Sequence, residues 1–134
     1  MKSESFGSIK LIEFSNNITK EELIECARIL EAWAADHEEY AVISHMPKNA
    51  KSVTDMATIS KTLSAIRNST LRIYGTQSSG ISSFIANIVG QLLGLTIVQA
   101  PDYPTLLKKI KADNPKFEAD LETYKVEDRL KVLA

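Results

Sequence analysis

The sequence predicts an α/β fold, a single domain with a mainly parallel sheet, and three observations carry that reading. Apolar segments suited to strands alternate with segments of helical periodicity, in the order β-α-β-α-β-α-β-α. The runs YAVIS and LTIV are almost continuously apolar, as strands covered on both faces are. From Ile73 to Pro101 there is no charged residue, a run of 29 in a protein where 25% of residues are charged. A membrane helix needs about 20 mostly apolar residues. Here Gly75, Thr76, Gln77, Ser78, Ser79 and Gly80 open the run and Asn87, Gly90 and Gly94 interrupt it, so a buried strand–helix–strand unit fits and a membrane span does not.

The elements follow in order. Ile9–Ser15 alternates well enough for one opening strand, and Asn16-Asn17 is a turn signal. Thr19 stands as N-cap of the first helix, and Glu22 three residues later completes a capping-box pattern. Leu23, Ala27, Leu30 and Ala34 then recur on one face, flanked by Ile24 and Trp33, with Glu21, Glu25, Glu31 and Asp36 on the wet side. Tyr40–Ser44 is the next strand. Ser52 or Thr54 caps a second helix carrying Met56, Ile59, Leu63 and Ile66. Leu71–Tyr74, Ile81–Leu93 and Leu95–Gln99 make a strand, a helix and a strand. Asp102, with Pro104 just inside, opens a helix to about Ala112, which Asn114-Pro115 ends. Such a series takes right-handed crossovers. The α/β domain thus spans 1–115. The charged extension 116–134 keeps Phe117, Leu121 and Tyr124 at helical spacing, either to pack on the domain or to dock on a partner.

Composition narrows the function. At 134 residues there is room for one respectable core. A net charge of −1 argues against nucleic acid as a partner. No apolar signal segment opens the sequence, so a cytoplasmic location is expected. The single Cys26 cannot form an internal disulfide and reads as a packing residue. His37 and His45 are too few and too isolated for a metal site, and no cofactor is expected.

One motif bears on chemistry. Gly75 to Ser82 nearly spells the phosphate-binding loop GxxxxGK[ST], but Ile81 replaces the lysine that reaches the terminal phosphates. Nucleotide hydrolysis is therefore not expected. Gly75 and Gly80 permit a tight turn, and Ser78 or Ser79 caps the helix. The same loop is a candidate anion site, because amides at a helix start bind phosphate or carboxylate. The helix beyond it presents Ser83, Ala86, Asn87 and Gly90, a small and uncharged face where a solvated helix would carry Lys and Glu. That face is either covered by the tail or an interface, such as that of a homodimer. His45 at a strand end, with Asp55 nearby, is a weak catalytic candidate that lacks a nucleophile.

Three stretches carry a family resemblance over about residues 8–112. They are IKLIEFSNNITKEELIECARIL, YAVISHMPKNAKSVTDMATI and TLRIYGTQSSGISSFIANIVGQLLG. The chain resembles STAS-type domains, the fold of bacterial anti-sigma-factor antagonists, and in particular the divergent STAS/Sec14-like branch. Members of that family open with two strands, where one is predicted here. Their phosphorylatable Asp-Ser segment falls at Lys51 to Met56, where Ser52 and Thr54 are the hydroxyls available. The resemblance implies a non-enzymatic regulatory domain that binds a protein partner or a second copy. Its alternative is a Sec14-like binder of a small apolar or anionic ligand. An open flavodoxin-like sheet is disfavoured, because the first loop, Ser15 to Thr19, has neither an acidic cluster nor a hydroxyl-rich flavin loop.

Overall fold

The computed structural model describes residues 1–36, 40–47, 51–52, 72–76 and 96–133. These make a mixed α/β structure of five strands in one sheet, two in a short ladder, and four helices. The large sheet contains β1 (Lys2–Phe6), β2 (Ile9–Glu13), β4 (Ala41–His45), β6 (Arg72–Thr76) and β7 (Thr96–Ala100), side by side in chain order. β1 runs antiparallel to β2, and the remaining neighbours are parallel. The small ladder pairs β3 (Asn17–Ile18) with β5 (Lys51–Ser52). The expected helices over 54–66 and 81–93 lie outside the described residues.

Two opening strands are present where the sequence reading expected one. KSESF carries no core stripe, because β1 is the edge strand of the sheet among the described residues, and edges tolerate charge. Phe6 pairs with Ile9, so Gly7 and Ser8 form a two-residue hairpin turn. Gly7 takes φ +64, the left-handed value that such a turn demands at its first position. The other strands begin or end one or two residues from the expected limits. Asn17, read as part of a turn, is a β3 residue paired with Lys51.

The helix α1 (Lys20–Ala34) starts as expected, with Thr19 Oγ1 accepting from the Glu22 amide at 3.2 Å. The reciprocal half of the capping box is different. The Glu22 carboxylate accepts from the Ser15 amide at 2.8 Å and the Ser15 hydroxyl at 2.6 Å, not from Thr19. The chain turns back through β3, which brings two Ser15 donors within reach of one carboxylate. Glu22 therefore ties the end of β2 to the start of α1.

Each face of the sheet has its own core. Ile12 and Val42 point toward α1 and pack with Cys26, Leu30, Trp33 and Tyr40, with Ile73 partly buried beside them. Ile9, Leu11, Ala41, Ile43, Tyr74 and Ala100 point the other way. That face is covered by α2 (Tyr103–Asp113), α3 (Pro115–Thr123) and α4 (Val126–Lys131). Burial on both faces explains why the strands read as continuous apolar runs.

The chain after 115 packs on the sheet. Phe117, Leu121, Val126 and Leu130 are buried in the same cluster as Leu11 and Ile43, while Tyr124, read as the third apolar position, is half exposed and meets Phe6 edge-on. Asp102 caps α2 through the Thr105 amide at 2.8 Å, with Pro104 in the first turn. Asn114 does two jobs: it ends α2 and caps α3 through the Lys116 amide at 2.9 Å. Lys125, at φ 51, makes the break between α3 and α4.

Candidate functional site

Parallel strands point their carboxyl ends to one edge, the edge at which open α/β sheets place their sites. Here β2, β4 and β6 end there in Glu13, His45 and Thr76. Glu13 and His45 are direct register partners, so their side chains leave the same face of adjacent strands. That face is the one covered by the C-terminal helices. Tyr103, at the first turn of α2, drops its ring onto it and is nearly buried.

The Tyr103 hydroxyl bonds His45 Nδ1, and the two rings lie 5.9 Å apart at 32°. The Thr76 side chain bonds the same hydroxyl. One phenol therefore links the ends of β4 and β6 to the start of α2. Glu13 is engaged from the other side by Arg129 of α4, whose guanidinium donates at 3.1 Å and also reaches Glu4 on β1 at 2.8 Å. The line Glu4–Arg129–Glu13, then His45–Tyr103–Thr76, crosses four strands of the sheet.

Burial sets the protonation of this group. Burial pushes the Tyr103 phenol up to about 12, with the nearby Glu13 charge adding to it against the opposing Thr76 bond. Burial holds the His45 imidazole below its usual value, and the Glu13 carboxylate opposes that shift. His45 is thus neutral at pH 7, with one ring nitrogen engaged by the phenol.

Other polar groups serve as fasteners. At the opposite end of the sheet the Tyr74 hydroxyl donates to Asp113 at 2.6 Å, and Arg72 lies 3.5 Å from the same carboxylate. Burial, then the Asp113 bond, pushes the Tyr74 phenol well up. Asp120 of α3 accepts from both the amide of Ser8 (2.8 Å) and its hydroxyl (2.5 Å). Cys26 is buried, and burial followed by the Glu22 charge pushes its thiol up to about 12, which suits packing and not reactivity. An open cleft of about 230 Å³ lies among α2, α3 and α4, lined by Leu107, Leu121, Lys111, Lys125 and three carboxylates.

The residues singled out from sequence are distributed unevenly. Gly75 lies inside β6, paired with Ser44 and Gln99, not in a tight turn. Its backbone is not left-handed, and an added Cβ would meet only the Ser44 carbonyl at 3.5 Å. Ser52 belongs to β5, its backbone in register with Ile18. Thr54, Asp55, Ser78, Ser79, Gly80, Ser83, Ala86, Asn87, Gly90 and His37 lie outside the described residues. Of the catalytic candidates, His45 stands where expected, at a strand end. Its partners Glu13 and Tyr103 escaped the sequence reading. The available signal was an acid ending β2 on the face of the buried Ile9 and Leu11, and an aromatic opening the helix after β7.

Among the described residues no three His, Cys, Asp or Glu side chains are grouped to hold a metal ion. No described helix is long and apolar enough to cross a membrane. No family model, curated protein or solved structure matches the chain.

Proposed function

We propose that the chain is a non-enzymatic regulatory domain of STAS type that works by binding a protein partner, with a second copy of itself as the first candidate. The observation that carries this reading is the opening hairpin. STAS-type domains begin with two strands, and β1–β2 supplies the second one that sequence alone left out. The parallel strands β2, β4, β6 and β7, laid out in chain order, are consistent with it. The uncharged, small residues Ser83, Ala86, Asn87 and Gly90 are the proposed contact. Light scattering over a roughly hundredfold concentration range tests it by mass action. A dimer is expected, and Ala86→Glu should shift it toward monomer without unfolding it. A strict monomer throughout would sink self-association, and an unmoved dimer in Ala86→Glu would sink the helix contact. In a regulated domain of this type Ser52 and Thr54 are the proposed phosphorylation sites. Mass spectrometry of protein recovered from growing and stressed cells checks them, and unmodified residues in both states would count against that role.

A second reading, a small-ligand binder, is favoured by the polar groups gathered at the carboxyl edge, His45, Thr76 and Tyr103. Gly75 and Thr76 end β6 at this edge, and the stretch Gly75 to Gly80, read from the sequence as an anion site, is the proposed anion contact. Thermal unfolding with added inorganic phosphate or a fatty acid distinguishes the two chemistries. An unchanged midpoint with both would remove this reading.

A further inference from the structure

The carboxyl edge also holds an arrangement for coupling a proton to the last helix, and this inference does not rest on the partner-binding reading. The described elements packed there contribute Glu13 from β2, Thr76 from β6, Tyr103 from α2, Arg129 from α4, and Glu4 and the exposed Lys2 from β1. Glu13 is the shared member. It sits beside His45 in the sheet and accepts a bond from Arg129 at 3.1 Å. Arg129 has a second acceptor in Glu4, so it is not stranded if Glu13 turns away. We propose that His45 is a proton-operated latch: a proton on its ring draws the Glu13 carboxylate from Arg129 and loosens α4 from the sheet.

Arg129 and a protonated His45 compete for one carboxylate. With His45 neutral, Arg129 is the only cation bonded to Glu13 among the described residues. Protonation places a second cation on the adjacent strand, in a half-buried setting where a bare charge is costly. Turning Glu13 toward the ring offsets that cost and weakens the hold on Arg129. The direction with pH follows from the lowered affinity of His45 for protons, caused first by burial. A histidine held below its unfolded value lends full stability above that value, about 6.5. The stability is lost as pH falls from there through the folded value.

Hydrogen exchange on the full chain reads this directly. Amides of Val126–Lys131 should lose protection roughly three- to tenfold between about pH 7.5 and 5.5, after correction for intrinsic rates, as expected for one part-buried charge pair. His45→Gln keeps a polar group toward Tyr103 but never charges, and should abolish the loss. Equal protection at both pH values in the native chain, or an undiminished loss in His45→Gln, overturns the latch. Should that variant fail to fold, Glu13→Gln supplies the second test by NMR. The His45 ring should then titrate at lower pH and the α4 response should vanish, and an unmoved His45 midpoint overturns the proposal.

Discussion

Gly7→Ala should destabilise the fold far more than a surface turn substitution, and the excess should vanish when Asp120 is removed. Two costs add at this position. Gly7 holds φ +64, where an L side chain costs about 1–2 kcal/mol. An added Cβ would also lie 2.6 Å from the Asp120 carboxyl carbon and from both its oxygens. All three atoms belong to the Asp120 carboxylate, so Asp120 must swing out. Ser8 then loses both its bonds, from the amide at 2.8 Å and the hydroxyl at 2.5 Å. Ser8 is only 1% exposed, so its groups find no water in exchange. Those bonds to a part-buried carboxylate are worth about 1–3 kcal/mol together. Gly7→Ala should therefore cost about 2–5 kcal/mol, a large part of the ~5–15 kcal/mol that holds a domain together. Asp120→Ala alone should cost about 1–3 kcal/mol. In the Asp120→Ala background the carboxylate clash is gone, and Gly7→Ala should cost only the backbone term, about 1–2 kcal/mol. Urea unfolding of the four proteins gives the coupling, expected at about 1–3 kcal/mol, the worth of the Ser8–Asp120 bonds. Additivity within about 0.5 kcal/mol would show that Asp120 and the turn are not linked as described.

Two further outcomes follow from burial. Phe117→Ala removes a ring that is 2% exposed and should lower the unfolding free energy by about 3–5 kcal/mol, measured by urea titration. A loss under about 1 kcal/mol would mean that the chain after 115 adds little to the core. Tyr40→Phe should be neutral or stabilising by about 1 kcal/mol, because the Tyr40 hydroxyl is buried without a hydrogen-bond partner among the described residues. A clear drop in thermal midpoint would reveal a partner for that hydroxyl.

Much of this architecture is legible in the chain itself. The alternation of apolar runs with helical periodicity is local, so it announces the α/β class and the strands YAVIS and LTIV directly. Capping chemistry is local too. Thr19 and Asp102 each reach an amide three residues ahead, and those helix starts fall where the residues say, whereas Asn114, expected only to end a helix, also caps the next one. What tertiary structure decided are the partners that lie far apart in sequence. β1 has no pattern of its own and becomes a strand only because β2 offers it an edge. Glu22 follows the capping pattern, yet its carboxylate goes to Ser15, which the turn through β3 brings nearer. His45 was visible as a residue at a strand end, but Tyr103 and Arg129 reach the edge from 58 and 84 positions later (103 − 45 and 129 − 45). No spacing rule records such distances, because the packing of helices across the finished sheet sets them.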